Sequence, residues 1–293
     1  MSTVSNGTYE KYGVTYKTIT LTDGAYALTV TPEKGGMATS FTRNGEEYLW
    51  LRDKNFESTD RPRCGVPILF PSCGKPDGGV HLFDGAAYPM EVHGFADLLP
   101  WQVKTAADDA IELTLAPNGL TKFVYPFDFL LTMRYTLAGP RAELALTVEN
   151  TGAKPLPFSV GFHPYFGVSA VENVTFDIKA ATCSENAKGE QPAAPAQITL
   201  TKKPGSADSI RLMTGVESPW CSTMLSAATP SRWISGTGSA TACCGSRMWS
   251  PSSAWSRGTA GPTVSTSRAS MKNWLPAPPK PTPGALPLLD FPS

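Results

Sequence analysis

The sequence predicts an all-β protein, a large antiparallel β-sandwich with an irregular C-terminal tail. Three observations carry this expectation. Apolar residues alternate with polar ones over several runs of six to ten residues, the period of a half-buried strand. The runs are punctuated by the hairpin dipeptides Asp23-Gly24 and Asn44-Gly45, whose second residue adopts the positive φ that tight hairpin turns require. No stretch with helical period exceeds about two turns, so nothing supports the alternating helices of a parallel sheet.

Taken in order, "YKTITLT" and "AYALTVTP" flank Asp23-Gly24, so residues 16–31 are a hairpin candidate. "MATSFTRNGEEYLWL" repeats the pattern around Asn44-Gly45. "AIELTLAP", "FDFLLTMRYTLAG" and "RAELALTVENTG" supply three more alternating runs. In the last, Leu144, Leu146 and Val148 share one face, and Glu143, Ala145 and Thr147 share the other.

A chain of 293 residues that is 41% hydrophobic can bury a sizeable core. Its net charge is zero and its pI about 6.8, which gives no bulk electrostatic case for nucleic acid or an anionic membrane as partner. The opening "MSTVSNGTYEKYG" lacks a basic segment followed by an apolar one, so no secretion signal is expected. No apolar run approaches the ~20 residues of a membrane span. The six cysteines fit no zinc spacing and are expected to be thiols in a cytoplasmic protein.

Three segments stand out: "RCGVPILFPSCG" from Arg63, "VHGFADLLPW" from Val92 and "PLPFSVGFHPYFGV" from Pro155. Each sets Arg63, His93 or His163 among Gly, Pro and aromatic residues. Gly and Pro define the backbone. A flat aromatic face beside an Arg and two imidazoles suits a pyranose, whose C–H face stacks and whose hydroxyls take directional hydrogen bonds. Taken singly, each residue has an ordinary reading: a satisfied core or surface histidine, or a surface arginine. Lys75 and Asp77 read as turn residues, Cys64 and Cys73 as small buried side chains. His81 reads as a dispensable loop residue in a hairpin-like turn.

Jointly and in this order, the segments resemble the aldose 1-epimerase (galactose mutarotase) family. The similarity is closest to its bacterial branch, with R-G-G-x-P-I-L-F-P, H-G-F-A-R and P-F-S-x-G-x-H-P-Y-F, and it covers about residues 15–200. The resemblance implies a β-sandwich of the galactose mutarotase type with a sugar site on one sheet. It implies interconversion of α and β anomers of an aldohexose by acid/base ring opening, with no metal or organic cofactor. His163 would be the general acid at the ring oxygen and His93 would hydrogen-bond the sugar. Arg63 would bind hydroxyls, and Phe166 would contribute to the sugar-binding surface. Asp97 stands where the branch has an arginine that helps hold phosphate in phosphate-using relatives. It is expected either to accept a sugar hydroxyl or to be solvated, and in both cases to favour a free hexose. A hexose-6-phosphate mutarotase and a non-catalytic carbohydrate-binding module are the alternatives.

The composition breaks near residue 205. Of 25 Asp and Glu, only Asp208, Glu217 and Asp290 follow it, whereas five of the seven Trp do. The general base implied by the resemblance is a late glutamate in a run like L-E-P-W-x-G-x-x-N-x-L-N. In its place stands "AWSRGTAGPTVSTSRAS". Trp255 has the single codon TGG, and its last base can open a shifted frame. With Ser256 as AGC and Arg257 as CGT, that frame reads Glu-Pro-Trp, and the following codons allow Asp-Gly and then Asn-x-Leu-Asn. Residues 1–205 are therefore read as the N-terminal part of the sandwich. Residues 206–293 are read as the C-terminal part of the same domain, out of frame and poorly structured, with the switch between about 205 and 230. The alternative is a genuine Ser/Thr/Pro-rich tail. Resequencing codons 200–293 is expected to restore the glutamate motif; a confirmed open frame with no such motif in the alternative one overturns the reading.

Overall fold

Turn chemistry and alternation build the molecule from hairpins. The structure, a computed structural model, describes residues 2–11, 13–51, 61–107, 109–167, 174–177, 180–184, 192–195, 198–199, 212–214, 221–224, 256–257 and 264–270. The first sheet is a meander of β1 (Thr3–Lys11), β2 (Val14–Asp23), β3 (Tyr26–Thr31), β4 (Met37–Arg43) and β5 (Glu46–Glu47), hydrogen-bonded in chain order. Both expected hairpins are present. Asp23 pairs with Tyr26 across Gly24-Ala25, one position on from the expected turn dipeptide, and Arg43 pairs with Glu46 across Asn44-Gly45. Asn44 and Gly45 both have positive φ, 50° and 81°, as the two-residue turn requires. β1 adds a strand that the sequence reading did not identify.

Short segments then lead across the molecule: β6 (Ile68–Leu69) and the hairpin of β7 (Val80–Phe83) with β8 (Ala86–Pro89). The second large sheet contains β9 (Gln102–Ala107), β10 (Ala110–Leu115), β11 (Phe129–Ala138) and β12 (Arg141–Asn150). A six-residue helix, α1 (Gly119–Val124), interrupts it. Beyond it, β13 (Pro157–Phe158) and β14 (Gly161–Phe162) carry the chain back, and β14 pairs with β6.

The two sheets share one core. Leu21, Leu28, Val30 and Phe41 from the first meet Leu113, Leu131, Met133, Leu144 and Leu146 from the second in a single buried cluster. On β12, Leu144, Leu146 and Val148 are buried with Ala142 and Asn150, as the alternation implies. Two polar ties cross between the sheets' segments. The buried Tyr135 hydroxyl donates to the Gly36 carbonyl at 2.5 Å, and the Gly139 N–H donates to Asp23 Oδ2 at 2.7 Å.

After residue 167 the described elements are short. β15 (Val174–Asp177) pairs with β17 (Ile198–Thr199) and β19 (Cys221–Met224), and β16 (Thr182–Ser184) pairs with β18 (Leu212–Thr214). In the segment read as out of frame, β20 (Ser256–Arg257) pairs with β13. β21 (Val264–Ser270) adds seven residues antiparallel to β12, from Glu149↔Val264 to Glu143↔Ser270. This strand is longer and more regular than expected for the tail; most of the remaining tail lies outside the described residues. Among the described residues, Cys64, Cys73 and Cys183 form no disulfide, and no helix is long and apolar enough to cross a membrane.

Leu146 is fully buried at the centre of β12. Leu146→Ala is expected to cost about 2–5 kcal/mol, through lost transfer energy and the cavity left behind. The check is the urea midpoint, which should fall with the slope of the transition unchanged.

Candidate active site

The three motif segments meet because their backbones interlock. The Gly65 N–H donates to Trp50 O, the Tyr165 N–H to Gly65 O and the Trp50 N–H to Tyr165 O, each at 2.8 Å. The His163 N–H donates to Pro67 O at 3.0 Å, which places the His163 loop beside β6. On the other side, Phe70 bridges Gly94, and the Phe95 N–H donates to Phe70 O at 2.9 Å. Gly94 has φ +77°, and a Cβ there would lie 2.2 Å from Phe70 O. Only glycine permits both that conformation and that approach. Beneath, Phe70 packs against Phe95, Tyr125, Phe129 and Phe158, with ring centroids 4.9–6.0 Å away. The site therefore rests on a rigid aromatic floor.

This scaffold brings His93 and His163 together, with ring centroids 5.4 Å apart and an edge-on angle of 68°. His93 has φ +68°, unusual for a residue with a side chain. Its N–H donates to Gly74 O at 2.9 Å, and its Nδ1 accepts the Gly74 N–H at 3.1 Å. An Nδ1 that accepts leaves the proton of the neutral ring on Nε2. Burial, the neighbouring His163 and the Arg61 charge lower the His93 pKa to about 4. His93 is thus a neutral Nε2–H donor at neutral pH.

His163 is buried, and its Nδ1 makes no hydrogen bond to another described residue. Its ring stacks on Tyr165 with centroids 4.7 Å apart and planes 25° apart. Burial is the main cause of its lowered pKa. The ring's proximity to its own backbone opposes the shift, while the Arg61 and Arg63 charges add to it. Arg63 is exposed yet close enough to act on this ring.

Two expected site residues are buried. Phe166 is 8% exposed, bridges Leu49 and belongs to the main core. The aromatic ring beside His163 is instead that of Tyr165, which the sequence reading did not single out. Alternation gives the reason: in extended chain, residues 163 and 165 share a side and residue 166 turns away. Asp97 is neither solvated nor at the surface. Its side chain is 1% exposed and ion-paired with Arg61, whose Nη1 lies 2.5 Å from Oδ1. The second Arg61 nitrogen donates to Gly94 O at 2.7 Å. Burial raises the Asp97 pKa to about 6 against the opposing pull of Arg61. No short motif links residues 61 and 97. His81 lies on strand β7, opposite Tyr88, rather than in a loop.

Residues 17–204 match the family model of aldose 1-epimerase. Among solved structures, the Slr1438 protein of Synechocystis sp. PCC 6803 is 31% identical with a TM-score of 0.58, over 62% of this chain and 65% of that one. A galactose mutarotase-like protein of Lactobacillus casei is 25% identical with a TM-score of 0.52, over 67% of each chain. A proposed glucose-6-phosphate 1-epimerase of Cenchrus ciliaris is 31% identical over 155 residues, 48% of this chain and 44% of the relative. The chain spans about half the length of the curated relatives it matches.

With so low a pKa, His93 should remain neutral far into the acid range. In an NMR titration its Cε1 proton is expected to hold its neutral position until the pH nears 4, instead of moving around 6.5. A midpoint at or above 6 would contradict the buried, Gly74-bonded geometry.

Proposed function

The chain belongs to the aldose 1-epimerase family, and from that premise we propose that the His93–His163 site binds a free aldohexose and opens its ring to exchange the anomers. One observation carries this reading. Two imidazoles lie edge to face, and the Gly74 N–H gives one of them a defined proton-bearing nitrogen. His93 Nε2–H donates to a sugar oxygen and steadies charge there as it develops. His163 donates a proton to the ring oxygen. Its lowered pKa makes its cation scarce at neutral pH but a stronger acid once formed, the trade-off that governs general acid catalysis. The anomeric hydroxyl must give up its proton to a base, the role the resemblance assigns to a late glutamate. Residues 218–289 contain neither Asp nor Glu. The chain as written therefore keeps the acid half of the reaction, and the base returns with the restored frame.

The preference for an unphosphorylated sugar rests on charge. The Asp97 carboxylate cancels Arg61, leaving Arg63 as the exposed guanidinium beside His163. A phosphate carries close to two negative charges and favours paired guanidinium contacts. Each such contact is worth about 1–4 kcal/mol near a protein surface. A phosphorylated hexose is the second reading, favoured by the name of the Cenchrus ciliaris relative.

Polarimetry on fresh α-glucose and α-galactose tests the reaction. The frame-restored protein is expected to speed mutarotation, and the written chain and a His163→Ala variant of the restored protein each to fall about 10²–10⁴-fold below it. A His163→Ala rate within a few-fold of its parent would sink the assignment. Paired titration tests the substrate class: glucose should bind more tightly than glucose 6-phosphate, and the reverse order would favour the second reading.

A further inference from the structure

We propose that Arg61 is a positioning residue, which bridges the Asp97 carboxylate and the Gly94 carbonyl and so holds the His93 turn in the conformation that sets its ring against His163. The inference deepens the sugar-site reading and rests on it for its catalytic consequence.

A side-chain-bearing residue at positive φ persists only where its surroundings over-determine it. His93, at φ +68°, is followed by Gly94 at φ +77°. Upstream, this turn is anchored by the two Gly74 contacts. The Gly94 N–H closes the turn onto Glu91 O at 3.0 Å, and Phe70 limits how closely the chain can approach. On the downstream side, Arg61 is the side chain that reaches in. One guanidinium nitrogen contacts both Asp97 oxygens at 2.5 Å, and the other donates to Gly94 O at 2.7 Å. A planar fork can span a carboxylate and a carbonyl at once, whereas an ammonium is a point donor. Asp97 is itself fixed: a Cβ on Gly35 would lie 2.4 Å from its backbone oxygen. The brace therefore runs from the β3–β4 turn through Asp97 and Arg61 to the residue after His93. Arg61 is also near enough for its charge to act on both histidines.

Arg61→Lys in the full-length chain tests this, because charge is kept and the fork is lost. The chain has three histidines, so each imidazole can be assigned by substitution. The expected result is a folded protein in which the His93 ring resonances move and its Overhauser contact with His163 weakens. In the frame-restored protein, kcat should fall about 10- to 100-fold with KM changed less than about threefold. Asp97→Asn removes the second anchor and should give the same displacement in smaller degree; it takes the place of Arg61→Lys if that variant does not fold. Wild-type His93 resonances and an intact contact in a folded Arg61→Lys protein would overturn the proposal. So would a loss of thermal stability with the His93 signals unmoved, the signature of a merely structural pair. A displaced His93 ring in a protein whose parent turns over no sugar would uphold the positioning role and remove the sugar reading.

Discussion

The close approach of Gly94 to the Phe70 carbonyl is the constraint on which the site depends. It leaves no room for a side chain, and it joins the chain that carries His93 to the strand that, through β14, leads to His163. Phe70 is also the centre of the aromatic floor. One residue thus serves packing through its ring and site geometry through its carbonyl. Rigid packing passes the position of the core to the two imidazoles with little slack, which acid/base chemistry needs, since small misplacements of reacting groups are costly.

Electrostatics act through the same framework. Burial disfavours charge on His93 and His163, and nearby guanidinium charge reinforces that effect. A buried carboxylate would normally be costly, but Asp97 meets Arg61 with both oxygens. Such a pair gives little net stability once desolvation is counted, and its most useful property is defined geometry. Here that geometry is applied one residue from a histidine at positive φ, which ties the ion pair to the site more closely than to the stability of the sheets.

Large parts of this were legible in the chain. Alternation in residues 141–150 identified the buried face of β12, and Asp23-Gly24 and Asn44-Gly45 identified two hairpins, because both signals are local. His93 and His163 could be paired only through the order of motifs, since the 69 intervening positions hold no physical signal of contact. The choice between Tyr165 and Phe166 was readable from the two-residue period but was obscured by the motif, which groups them. β1 went unread because "TVSNGTYEK" places a glycine and several polar residues where strand alternation is weak. The Arg61–Asp97 pair is long-range, and neither expected fate of its acid, a sugar hydroxyl contact or solvation, included an ion pair, because position within a motif says nothing of burial.

In the proposed reading, the proton donors and the base come from different parts of the chain. The hydrogen bonds that set His93 and His163 join residues between Trp50 and Tyr165, all upstream of the compositional break. Their placement comes from backbone contacts and a glycine close approach, and the tail meets this part of the chain where β20 pairs with β13 and β21 with β12. The base that the proposed mechanism needs is the late glutamate of the resemblance, and residues 218–289 hold no carboxylate to serve as one. A general acid without its partner lowers only one side of a concerted proton exchange. Under the function proposed above, His93 and His163 supply the donor half of the reaction, and the acceptor is the part that the proposed restored frame would supply.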